Sequence, residues 1–131
     1  MQPPARPSDP AAWDHLRDIC AALPSTSERI SHGELAWFAG EGSKARQFAT
    51  TADHHHDDRN AVHFAAAPGA QDQLIAADPE HYFRPPYVGS RGWVGYYLDR
   101  PPVDWDVVEL HLRDAHQLIN RSDGPRRRAQ D

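Results

Sequence analysis

The first regular alternation of apolar and polar positions begins at Asp9. Asp9-Pro10 places a side-chain acceptor at a helix N-cap and a proline at the first helical position, where its missing N–H costs nothing. Trp13, Leu16, Cys20 and Leu23 then recur at helical spacing, with Asp14, Arg17 and Asp18 on the other side, until Pro24 ends the run. From Ser31 the period shortens to two. Leu35 and Trp37 alternate with His32, Glu34 and Ala36, which predicts a strand that turns at Gly40–Ser43 into a second strand over 44–51. Residues 61–66 (AVHFAA) read as a third short strand, reached through the polar stretch 52–60. Pro68-Gly69 leads into a short helix through Leu74, Ile75 and Ala77, which Asp78-Pro79 ends. Residues 93–98 (WVGYYL) form the most aromatic strand, and Pro101-Pro102 stop it. Asp104 caps a final helix on which Trp105, Val108, Leu112, Ala115 and Ile119 keep helical spacing, with Val103 and Val108 spaced as a hydrophobic staple.

This order of elements predicts an α+β domain, an antiparallel β-sheet meander with the N-terminal and C-terminal helices packed on one face. A chain of 131 residues is the size of one domain. Residues 1–8 read as a disordered Pro-rich arm, 9–120 as the single domain, and 121–131 as a disordered Arg-rich tail.

Composition sharpens this picture in three places. Apolar residues at 39% and charged residues at 25% give a globular balance. The single cysteine, Cys20, excludes an intramolecular disulfide and lies on the apolar stripe of the first helix, so it reads as a small inert core residue of a protein in a reducing compartment. No apolar run has the length of a membrane span and the N-terminus lacks the order of a signal peptide, so the cytoplasm is the expected address. Net charge is −5, and the tail 121–131 holds four of the 14 basic and two of the 19 acidic residues, which leaves residues 1–120 at −7. A polyanion-binding domain usually carries the opposite sign, so nucleic acid would have to meet a local positive face.

Three segments carry candidate chemistry. In 84–93 (RPPYVGSRGW) two prolines stiffen the backbone and two glycines permit turns; Arg84 and Arg91 are candidate phosphate forks, and Tyr87 and Trp93 candidate stacking platforms. In the hairpin after Trp37, Lys44 and Arg46 flank a glycine turn that can lie against a phosphate backbone as a wing, with Glu41 offsetting one charge. Residues 53–58 (DHHHDD) concentrate imidazoles and carboxylates; a metal site there would use His54, His56 and Asp57, joined by His32 or His63 if the sheet brings them near. Nothing points to catalysis. No serine lies in a Gly-x-Ser-x-Gly elbow, no glycine-rich phosphate loop occurs, and Asp104 and Asp106 are explained by helix capping. The chain reads as a non-enzyme without a cofactor.

LPSTSE at 23–28 and YFRPPYVGSRGWVGYYLD at 82–99, followed by the helix WDVVELHLRDAHQL, together resemble the MmcQ/YjbR family over roughly residues 12–120. That resemblance implies a bacterial frataxin-like α+β fold and a DNA-binding role through a double-wing arrangement. It puts DNA first among the partners, with Lys44, Arg46, Arg84, Tyr87, Arg91 and Trp93 as contact residues. Two alternatives stay open. One is a small-molecule or protein-binding module with an aromatic-lined pocket beside Tyr82–Trp93, and the other is a metal-binding module on His54–Asp58. No membrane partner is expected. The chain is a monomer or, if its aromatic strand forms a sheet edge, a homodimer.

Overall fold

The computed structural model describes residues 7–55 and 57–122. Most of the arm, residues 1–6, and nearly all of the Arg-rich tail, residues 123–131, therefore lie outside the described residues. Residue 8 is tied down, its N–H and hydroxyl both bonded to Asp53. The final helix runs through residues 121 and 122, beyond its expected end.

Helix α1 spans Pro10–Ala21, with Asp9 Oδ1 accepting the Ala12 N–H at 3.2 Å as the cap. The strand expected from Ser31 is β2 (Glu34–Ala39), and a further strand, β1 (Thr26–Ser31), precedes it where none was expected. The two are joined by His32 and Gly33, both at positive φ, as a two-residue hairpin turn requires. Alternation in β2 is also lost, because all six of its residues are buried. After a single 3-10 turn at Gly42–Lys44 come β3 (Arg46–Asp53) and β4 (Asn60–Phe64), then α2 (Ala70–Ala77), a two-residue β5 (Tyr82–Phe83), β6 (Val94–Tyr97) and α3 (Trp105–Ser122).

The six strands form one antiparallel sheet in the order β1-β2-β3-β4-β6-β5. The meander holds through β4; β6 then pairs with β4 and leaves β5 at the edge. The aromatic strand is thus internal, which removes the edge on which a homodimer was to rest. The long edge is β1, and its charged Glu28 and Arg29 oppose pairing with another chain.

Pairing defines two faces. Trp37, Phe48, Val62, Phe64 and Val94 meet Leu16, Cys20, Val108 and Leu112 of α1 and α3 in the core, and His15 of α1 stacks on Trp105 of α3 at 4.0 Å. Burying such residues contributes about 1.5–3 kcal/mol each. Burial pushes the Cys20 thiol up to about 12, with Glu28 adding to the effect, so it stays protonated and inert. The other face carries one continuous row across the sheet, Arg29–Ala36–Thr50–His63–Gly95–Phe83, and no helix among the described residues packs its apolar side on it. Among the described residues no helix is long and apolar enough to cross a membrane.

Candidate functional site

The segment 84–93 is held from beneath by one side chain. Gln71 on α2, 7% exposed, donates its amide to the carbonyls of Gly89 (2.9 Å) and Trp93 (2.7 Å) and accepts from Arg84 Nη1 (3.0 Å). Arg84 lies so close over Gly89 that a Cβ there would sit 2.7 Å from its Cγ, which is why this position is glycine. Tyr87 stands at φ 65, ψ −71, with the Val88 N–H bonded back to the Pro86 carbonyl at 2.7 Å. This is the rare, strained γ-turn, imposed on a residue that is 84% exposed. The turn ends on a 3-10 helix, Val88–Arg91, with the Arg91 guanidinium 5.4 Å from the Trp93 ring centroid. Trp93 itself is 5% exposed and belongs to the core, so it packs and is not available as a stacking platform.

Register decides where the other candidates fall. Ala39 pairs with Arg46, Phe64 with Val94, and Phe83 with Gly95, so the hairpin bearing Lys44 and Arg46 and the loop bearing Arg84 and Arg91 share one end of the sheet. Arg121 joins them, lining a cleft of about 330 Å³ between α2 and α3 together with residues 64–67. Among the described residues none of these five cations has a carboxylate partner, whereas Arg17, Arg59, Arg100 and Arg113 all do. Glu41 is in the same hairpin turn, its carboxylate held by the Ser25 hydroxyl at 2.6 Å.

The opposite end of the sheet is acidic, and its carboxylates are engaged. Burial works against ionisation of Asp53, but the Ser8 N–H and hydroxyl and the His54 ring outweigh it and hold the carboxyl below the usual range. Asp99 follows the same logic. Burial again opposes, and a two-nitrogen fork from Arg59 at 2.8–3.1 Å with the Asn60 N–H at 2.9 Å prevails. The hydrogen bond to Asp53 raises the pKa of His54 in turn. Glu34, 7% exposed, accepts the Thr51 hydroxyl at 2.7 Å and the Asp53 N–H at 3.0 Å, and pairs with His55 at 3.4 Å.

These commitments bear on the metal candidates. His54 is occupied by Asp53, Asp57 accepts the Arg59 N–H, and His56 lies outside the described residues. Among the described residues no group of three histidine, cysteine or acidic side chains is placed to hold an ion. His32, His55 and His63 line, with Glu34, a hollow of about 190 Å³ in the open face, walled by Pro86–Val88, with Thr50 beneath and Gln47 at its edge. Its one large exposed ring is Tyr87, so the hollow beside this loop is lined by imidazoles, hydroxyls and small side chains and not by a cluster of aromatic rings. On α3, His111 and His116 serve separate packing sites. His111 stacks on Phe64, is kept neutral by burial and lies 2.7 Å from the Tyr82 hydroxyl, while His116 bonds the Pro24 carbonyl at 2.7 Å.

Sequence reasoning passed over Gln71, Gln47 and Glu34. Nothing in the sequence separates Gln71 from Gln73 two positions on; only the packing of α2 under the loop does.

A family model described as YjbR matches residues 21–118. The crystal structure of Deinococcus radiodurans protein DR2400, titled with the domain DUF419, matches at a TM-score of 0.75 and 23% identity, covering 96% of this chain and 87% of that one, which speaks for the fold. No curated protein matches.

Proposed function

Since the chain belongs to the YjbR family, we propose that it is a non-enzymatic DNA-binding or regulatory domain that grips phosphates with the cationic end of its sheet. The observation that carries this reading is that Lys44, Arg46, Arg84 and Arg91 share one end of the sheet with no carboxylate partner among the described residues. Gathering these cations at one end lets a local positive face coexist with a net charge of −5. Phosphate contacts made by such side chains release counterions and depend steeply on salt. A cytoplasmic protein fits this reading, and the single cysteine, Cys20, suits a reducing compartment. Fluorescence anisotropy with labelled DNA at about 50 mM salt, where phosphate contacts are strongest, tests the reading. Saturable binding that fades as salt rises is expected, and no binding at that salt refutes it.

A further inference from the structure

Phosphate forks alone leave three features beside them without a use. The first is Tyr87, held in a strained turn and 84% exposed as a residue. Strain of this kind persists only where the surroundings enforce it, here the Pro86–Val88 bond and the Gln71 clamp. The second is the hollow of about 190 Å³ that Pro86, Tyr87 and Val88 form over Thr50 and His63, on the sheet face where no described helix packs its apolar side. The third is Gln47, half-buried at the hollow's edge beside Arg46, whose side-chain amide makes no hydrogen bond among the described residues.

We propose that the partner is a single-stranded nucleic acid and that one unpaired base seats in this hollow, stacked on Tyr87 and read at its edge by the Gln47 amide. This rests on the phosphate-binding reading and extends it from charge to the class of strand. A duplex hides its base faces, so an exposed aromatic platform beside phosphate forks suits a strand whose bases are free. A primary amide offers one acceptor and two donors, and it pairs in a bidentate way with a base edge, adenine above all. Charge sets the direction. Glu34 lines the far side of the hollow and repels phosphate, while Lys44, Arg46 and Arg91 lie at the other end of the sheet, so the base points inward and the backbone stays at the cationic end.

The experiment is anisotropy with the full chain against labelled single-stranded homopolymers and a duplex of equal length, at several salt concentrations. Tyr87→Ala, checked for native folding by near-UV circular dichroism, is expected to weaken single-strand binding about tenfold while leaving the salt slope unchanged. Tyr87→Phe keeps wild-type affinity, and Gln47→Ala levels the preference between adenine and thymine homopolymers. If strand and duplex bind equally and Tyr87→Ala has no effect, the base seat is wrong while phosphate binding stands. If neither nucleic acid binds, both readings fall together.

Discussion

The two ends of the sheet use charge in opposite ways. At the acidic end Glu34, Asp53, Asp57 and Asp99 each accept hydrogen bonds from the chain itself, from Thr51, Ser8, Arg59 and Asn60 among others, and Arg59 also lies 3.7 Å above the Tyr97 ring. Their charge closes strand ends and ties the polar loop down. At the cationic end Lys44, Arg46, Arg84 and Arg91 meet no described carboxylate; Arg84 is held by a neutral amide and Arg91 lies near a ring. A charge satisfied within the fold serves stability, and on the proposed reading the cations gathered at the other end serve a nucleic-acid partner. Altering the two ends should therefore give different phenotypes.

The largest effect is expected from Lys44→Ala, Arg46→Ala, Arg84→Ala and Arg91→Ala combined, which should weaken nucleic-acid binding about a hundredfold at about 50 mM salt and lower stability only by about 1 kcal/mol, for the Arg84–Gln71 hydrogen bond. Anisotropy and a melting curve on the same preparation read both. Next is Gln71→Leu. It leaves the carbonyls of Gly89 and Trp93 without their donor and releases Arg84, so a loss of about 2 kcal/mol in chemical denaturation should accompany weaker binding. Among the single substitutions this is the one expected to fail in both assays, because Gln71 ties the loop to the fold. Asp99→Ala should cost about 1 kcal/mol, since the Asn60 N–H loses its acceptor and the Arg59 pair is half exposed, without reducing binding.

The smallest effect is on pH dependence. Asp53 and Asp99 have folded pKa values below their unfolded ones, so their stabilisation is complete above about pH 4 and is lost as pH falls through the folded values. His54 runs the other way. Its pKa is raised, so its contribution is present below about pH 6.5 and disappears as pH rises through the folded value, and full exposure keeps it small. Denaturation between pH 2 and 5 should show a steeper fall for the wild type than for Asp53→Asn with Asp99→Asn; equal slopes would mean that these carboxylates do not hold the acidic end.

Sequence pattern carried the helices and four of the strands, because their signals are local: Asp9 and Asp104 bond the N–H groups three residues on, and the apolar stripes face the core. It missed β1 and the turn at His32-Gly33, where a histidine adopts positive φ that its identity does not announce. It missed β5, whose two residues are a strand only because β6 lies beside them. The cations of the candidate site were legible one by one, but their common end was not, since it follows from pairings between residues far apart in the chain. Trp93 was misplaced for the same reason, as an aromatic beside two arginines in sequence turns inward in space. Gln71 and Gln47 carry no local signature at all.

The most direct test of the two-ended account is the slope of log affinity against log salt for the wild type, the four-cation variant and Asp99→Ala, on one single-stranded oligonucleotide. Each phosphate contact contributes about −0.7 to that slope. The account predicts a wild-type slope of about −3, most of it lost in the four-cation variant and all of it kept in Asp99→Ala. A four-cation variant with the wild-type slope would contradict it.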